Sequence, residues 1–124
     1  MSSEQNLQRR ALVVDDDDTV VEHVTQVQHK MGFAVDYAVD SLDALESCHS
    51  SRFDVIVCDI RMPCLSGLSF LSNLGKTLNT TTRVIMISGL DNNAIRKQVL
   101  SSGASVYLTK PITTQDLRDA IGNL

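Results

Sequence analysis

At 124 residues the chain has the length of one domain, enough to bury a core and too short for a multidomain enzyme. Apolar residues supply 43% of it and charged residues 21%, with 6 Gly and 2 Pro, a balance that excludes disordered, collagenous and coiled-coil chains. The net charge of −4, with Arg52, Lys76, Arg83 and Lys97 scattered instead of forming a stripe, disfavours direct nucleic-acid binding.

The opening residues 1–9 are polar and read as a flexible segment ahead of a single domain over residues 10–124. They lack the apolar stretch of a signal peptide, and no apolar run approaches the ~18 residues of a membrane span. The expectation is a soluble, cytoplasmic chain with no membrane partner. Cys48, Cys58 and Cys64 are odd in number and lack C-x-x-C spacing, which argues against a disulfide framework or a zinc site and for small core residues in a reducing compartment.

The run Ala11-Leu12-Val13-Val14 is short, largely β-branched and ended abruptly by acids, as a buried parallel strand would be. Val20, Val24, Val27 and Met31 then recur at helical spacing, with Thr19 three residues before Glu22 as in a capping box and Gly32 where the helix should stop. Phe33-Ala34-Val35-Asp36-Tyr37 alternates, which suits a less central strand. Leu42, Leu45 and Cys48 mark a second helix capped by Asp40 or Ser41, and Asp54-Val55-Ile56-Val57-Cys58 a third strand. Leu68, Leu71 and Leu74 mark the next helix, and Arg83-Val84-Ile85-Met86-Ile87 the next strand. Ile95 and Val99 precede Gly103, Ser105-Val106-Tyr107-Leu108 is the last strand, and Leu117, Ile121 and Leu124 trace the last helix. Strict alternation of five strands with five helices predicts an α/β fold, a doubly wound parallel sheet with helices on both faces.

Ligands of such a sheet bind beyond the carboxyl ends of its strands. Here the first strand runs into Asp15-Asp16-Asp17-Asp18, the third ends at Asp59, the fourth at Ser88, and the fifth runs into Lys110. If the first and third strands are neighbours, at least three carboxylates crowd one edge, and their repulsion calls for a proton or a cation. A hard divalent ion with oxygen ligands fits. A solvated, helix-capping loop accounts for Asp17 or Asp18 but leaves Asp59 unexplained. Lys110 before Pro111 can be a plain turn, yet a lysine at that strand end is also placed to pair with Asp59 or a phosphoryl group.

From about Leu12 to Leu124 the sequence resembles a bacterial response-regulator receiver domain. The resemblance rests on Leu12-Val13-Val14-Asp15-Asp16-Asp17, on Asp54-Val55-Ile56-Val57-Cys58-Asp59-Ile60-Arg61-Met62-Pro63 with Gly67, on Val84-Ile85-Met86-Ile87-Ser88-Gly89, on Gly103-Ala104, and on Tyr107-Leu108-Thr109-Lys110-Pro111. It implies the flavodoxin-like strand order 2-1-3-4-5 and a phosphorylation switch. In such a switch Asp59 accepts a phosphoryl group from the phosphohistidine of a sensor histidine kinase or a phosphotransfer protein. It further implies Mg²⁺, with Mn²⁺ as a substitute, bound by Asp16, Asp59 and the backbone carbonyl of Arg61, with Asp15 acting through a water. Ser88 and Lys110 match the groups that contact the phosphoryl oxygens, and Tyr107 the aromatic residue whose rotamer accompanies activation. Such a chain catalyses its own phosphotransfer and dephosphorylation but serves mainly as a regulator of an output domain or protein target, contacted through the last two helices. Arg96 and Lys97 against Asp116 and Asp119 leave a homodimer open on that face.

Three departures from the family pattern stand out: Gly89 where alanine is commoner, and Arg61 and Leu90 at variable positions flanking the phosphorylation site. His23, His29 and His49 have no ligand spacing and read as surface residues, and Cys58 and Cys64 as core packing. A metal-dependent phosphohydrolase with an aspartate nucleophile wants a second acid where Arg61 stands, and a flavodoxin-like electron carrier wants a phosphate loop where the four aspartates stand. The nearest alternative is a degenerate receiver acting as a phosphorylation-independent binding module.

Overall fold

Each of the five apolar runs forms a parallel strand in a computed structural model, which describes residues 8–61, 67–74 and 82–122. The strands are β1 (Arg10–Val14), β2 (Ala34–Ala38), β3 (Val55–Asp59), β4 (Arg83–Ser88) and β5 (Val106–Thr109), in the order β2-β1-β3-β4-β5. Between and after them run α1 (Asp18–Lys30), α2 (Ser41–Ser50), α3 (Gly67–Leu74), α4 (Asn93–Ser101) and α5 (Thr114–Ile121). Leaving β1, the chain first builds outward to β2 and then returns to add β3, β4 and β5 on the other side. The strand order therefore reverses between β1 and β3, where an open α/β sheet places its ligand crevice.

Side chains of a strand alternate between faces, and this divides the core in two. Ala11, Val13, Val55, Val57, Ile85 and Ile87 pack with Val24 and Val27 of α1 and Leu117 and Ile121 of α5. Leu12, Val14, Ile56, Cys58, Val84 and Met86 pack on the opposite face with Ala44 of α2, Phe70, Leu71 and Leu74 of α3, and Val99 of α4. Apolar residues on both faces of the central strands are what made those strands continuous runs in the sequence. The edge strand β2 instead exposes Asp36 and Tyr37.

Local signals differ from the sequence expectation in three places. Asp17, one of the two acids read as capping this helix, caps α1, its carboxylate accepting the Thr19 N–H at 2.9 Å; Thr19 already lies in the first turn, so its expected box with Glu22 does not form. Leu42 points to solvent: the inward stripe of α2 runs through Ser41 and Ala44, and Leu42 lies about 160° around the helix from Ala44. Helix α5 begins with a reciprocal capping box between Thr113 and Asp116, which the apolar spacing does not reveal. Elsewhere the signals hold. Asp40 caps α2, and Gly32 and Gly103, at φ of +96° and +116°, follow the last turns of α1 and α4 in a conformation other residues rarely adopt.

Within the segment expected to be flexible, Arg9 donates to the Met31 carbonyl at 2.9 Å and stacks 4.6 Å from the centre of the Phe33 ring. Residues 1–7, the motif residues Met62, Pro63 and Cys64, the connection at 75–81, the Leu68 side chain and Leu124 lie outside the described residues. Among the described residues no helix is long and apolar enough to cross a membrane.

Helix α1 carries one discordant residue. Gln28 is fully buried, and among the described residues neither its amide oxygen nor its amide nitrogen has a hydrogen-bond partner. An unpaired buried amide costs about 1–3 kcal/mol. Gln28→Leu, apolar and only about a methylene larger, should raise stability by up to that amount, seen as an increase of several degrees in the thermal midpoint by circular dichroism.

Candidate functional site at the carboxyl edge of the sheet

The register of β1 against β3 pairs Val14 with Cys58, so the next residues, Asp15 and Asp59, emerge side by side at the strand ends. Both carboxylates are buried, and Asp16 beside them is exposed. One oxygen from each of Asp15, Asp16 and Asp59 lies within 4.8 Å of the others. Lys110, just beyond β5, compensates part of this charge: its Nζ donates to Asp59 Oδ2 at 2.7 Å and lies 3.4 Å from Asp15 Oδ2. Backbone donors fill the remaining positions. The Asp17 N–H donates to Asp15 Oδ1 and the Arg61 N–H to Asp59 Oδ1, both at 2.9 Å.

Lys110 is itself anchored by its N–H donating to the Ser88 carbonyl at 2.7 Å, and the Lys110–Pro111 peptide is cis. A cavity of about 230 Å³ opens over Asp59, lined also by Arg61, Gly89, Leu90 and Lys110. A larger cleft of about 570 Å³ adjoins it along α1 and the Pro111–Ile112 turn but does not include Asp59.

Burial, reinforced by the neighbouring Asp59 carboxylate, pushes the Asp15 carboxyl up from 3.8 to about 6, against the pull of the Asp17 N–H and the Lys110 ammonium. Burial alone would lower the Lys110 pKa, but its hydrogen bond to Asp59 and the charges of Asp59 and Asp15 outweigh that and raise it. The ammonium therefore stays charged, while one of its two carboxylates is held uneasily ionised. All ligand atoms facing the cluster are oxygens, the donor set that suits a hard divalent cation. Burial also raises both described thiols, Cys48 to about 11 and Cys58 likewise upward, so neither supplies a thiolate at neutral pH.

Ser88 and Tyr107 belong to a neighbouring network that meets at Leu90. The Ser88 hydroxyl oxygen, buried at the end of β4, accepts the Leu90 N–H at 3.0 Å. The Tyr107 hydroxyl donates to the Leu90 carbonyl at 2.6 Å, and the ring is buried. The Arg96 guanidinium lies 4.8 Å from the centre of that ring.

The structure thus gathers Asp15, Asp16, Asp59 and Lys110 into one cluster, brings the Arg61 backbone to Asp59, and links Ser88 to Tyr107 through the main chain of Leu90. Sequence reasoning missed the part played by Leu90, because main-chain groups leave no residue signature, and treated Arg96 only as a surface charge. No spacing along the sequence signals the Arg96 contact, which depends on how α4 lies against β5. His23 touches Thr114 at 3.2 Å, and His29 and His49 are exposed on their helices, so no histidine joins the cluster.

An open parallel sheet with acids and a lysine at its topological switch point places the chain among the doubly wound α/β proteins whose ligand crevice lies at that edge. Within that class, residues 11–122 match the response regulator receiver domain, and the chain belongs to that family. It is 37% identical over 108 residues to the transcriptional regulatory protein PrrA of Mycobacterium bovis, covering 87% of this chain and 46% of that protein. Against the response regulator MprA of Mycobacterium ulcerans it is 35% identical over the same shares. The chain spans about half the length of these curated relatives. Among solved structures, the receiver domain of the Francisella response regulator 1452 superposes with a TM-score of 0.83 at 34% identity, covering 91% of this chain and 93% of that one. A response regulator from Burkholderia pseudomallei, with a phosphorylated aspartic acid, a calcium ion and citrate, gives 0.84 at 25% identity, covering 92% of this chain and 66% of that one.

The crowding at Asp15 yields a test. Its raised pKa means the folded chain binds a proton there more tightly than the unfolded chain, so this group stabilises the fold below pH 4 and progressively less as pH rises through 6. Asp15→Asn keeps an acceptor for the Asp17 N–H and removes the charge. In metal-free buffer at pH 7.5 or so the substitution should stabilise the protein by about 2–3 kcal/mol, and the gain should shrink toward zero as pH falls from 6 to 4. Urea unfolding across that range reads it directly.

Proposed function

We propose that the chain is a phosphorylation-dependent signalling switch in which Asp59 takes a phosphoryl group from the phosphohistidine of a sensor histidine kinase or a phosphotransfer protein. The observation that carries this reading is the Asp59 carboxylate itself: buried, at a strand end, held by Lys110 and the Arg61 N–H, and opening into a cavity of about 230 Å³. In the transfer a P–N bond of the donor breaks as a P–O bond to Asp59 forms. The protein's part is chiefly alignment and neutralisation of charge on the transferring oxygens.

Asp16, Asp59 and the Arg61 carbonyl would hold Mg²⁺, or Mn²⁺ in its place, with Asp15 acting through a water; the three converging carboxylates fit such an ion. When bound, the ion supplies positive charge to the transferring oxygens. Lys110 is the second source of positive charge, already within hydrogen-bonding reach of Asp59. The Burkholderia structure, with phosphorylated aspartic acid and calcium together, supports this pairing of chemistry and cation. On this reading the chain catalyses its own phosphorylation and hydrolysis and acts mainly as a regulator.

A new phosphoryl group presents acceptor oxygens to Ser88, whose hydroxyl turns from Leu90 toward them. The Leu90 carbonyl holds the Tyr107 hydroxyl, so movement of this loop reaches the surface of α4, β5 and α5. That surface is where we place contact with an output domain or protein target, in a cytoplasmic setting. The likeness to regulators of about twice this length supports an output domain, and PrrA is described as a transcriptional regulator.

The test is intact mass after incubation with Mg²⁺ and acetyl phosphate. Native protein should gain one phosphoryl group, and Asp59→Asn or chelation of the metal should abolish the gain. Failure both to form the adduct and to bind beryllofluoride with Mg²⁺ overturns the switch and leaves a degenerate receiver that binds its partner without phosphorylation.

A further inference from the structure

Tyr107 is buried, and two separate contacts hold it. Its hydroxyl donates to the Leu90 carbonyl at 2.6 Å, and its ring face carries the Arg96 guanidinium at 4.8 Å from the ring centre. Arg96 is in turn drawn by Asp91, whose carboxylate lies 3.8 Å away. Asp91 and Arg96 flank the start of α4, and Asn92 between them caps that helix by accepting the Ala94 and Ile95 N–H groups. The cap fixes the first turn of α4, and that turn sets the direction from which Arg96 reaches the ring. Neighbouring Lys97 is exposed, so the stacking belongs to Arg96 alone among the described residues of this helix.

We propose that Arg96 is a positioning residue that holds Tyr107 in its buried rotamer before any phosphoryl group is present, with Asp91 keeping the guanidinium over the ring. The proposal rests on the reading of Tyr107 as part of a switch, and it adds a second control to it. The Leu90 contact answers to the Ser88 loop, and the Arg96 contact answers to α4. A guanidinium over an aromatic face at a half-exposed site shifts a two-state side chain by about two- to fivefold. The buried rotamer is therefore biased by Arg96 and not locked, which is what a residue that must still respond to its loop requires.

The chain has two tyrosines, so Tyr37→Phe, at an exposed edge-strand position outside the site, leaves Tyr107 as the single tyrosine. In that background Tyr107 is labelled as 3-fluorotyrosine and followed by ¹⁹F NMR. Arg96→Met, similar in length but uncharged, should move the resonance toward that of a solvent-exposed ring, with the exposed population rising about two- to fivefold. Arg96→Lys, which keeps a cation, should recover at least half of the shift, and Asp91→Asn should move it in the direction of Arg96→Met by less. An unmoved resonance in Arg96→Met, or equal shifts for Arg96→Met and Arg96→Lys, overturns the proposal. Intact mass after acetyl phosphate, taken on the same samples, separates the two readings. Loss of phosphorylation of the parent protein overturns the switch while leaving the stacking result standing, and normal phosphorylation with an unmoved resonance overturns only the role of Arg96.

Discussion

One ammonium group serves two buried carboxylates from different strands, and much of the molecule is arranged around that fact. Asp15 and Asp59 become neighbours through the β1–β3 register, whereas Lys110 follows β5, with β4 lying between β5 and β3. Its side chain reaches Asp59 past the end of β4, where the residue is Ser88. A small residue there leaves the route open, and its carbonyl anchors the Lys110 N–H. Two buried carboxylates still share one partly exposed cation, and burial, reinforced by the charge of Asp59, keeps the Asp15 pKa raised in spite of it. A site in this condition has a standing electrostatic demand for a cation and a means of orienting an anion bound to Asp59.

The double winding supplies what this demand requires. Because β1 and β3 are covered on both faces, their backbones are fixed by neighbours and by two separate apolar layers, and the carboxylates at their ends inherit that rigidity. A carboxylate on an exposed loop would relax away from its like-charged neighbour. Asp16, one residue further from the strand, is already exposed and has that freedom. The contrast between Asp15 and Asp16 is thus a contrast of anchoring, set by where the strand ends.

The strands and the acids were legible in the sequence because both are written in residue type: continuous β-branched runs for two-sided burial, and acids or lysine where those runs stop. The weaker alternation around Val35 and Asp36 likewise announced the edge strand. What escaped has a common cause. Leu42 has the hydropathy of a core residue, but its face depends on how α2 packs, and the inward stripe runs through Ser41 and Ala44 instead. Gln28 is polar in sequence and buried in space, a conflict between local type and tertiary position that only packing reveals. Leu90 acts through its N–H and carbonyl, which every residue but proline has. The Arg96 stacking needs the relative placement of α4 and β5, to which a pattern along one chain is blind.

The Leu90 junction is suited to rearrangement for a reason that burial explains. Breaking a buried hydrogen bond leaves a donor that costs about 1–3 kcal/mol, but the Leu90–Ser88 bond is only partly buried, at a residue 42% exposed, which lowers that cost when the Ser88 hydroxyl turns away. Ser88, by contrast, is buried, and its hydroxyl must find another partner inside the site. On the proposed switch, the exchange would therefore run readily only when new acceptor oxygens arrive over Asp59. Gly89 between them eases the movement: a Cβ there would meet nothing within 4 Å, so the glycine is not required by space, and its effect falls on backbone freedom. On the proposed switch, a loop that moves easily beside a hydroxyl that needs a partner would couple the loop to the chemistry at Asp59, with the Arg96 guanidinium over Tyr107 biasing the ring toward its buried position beforehand.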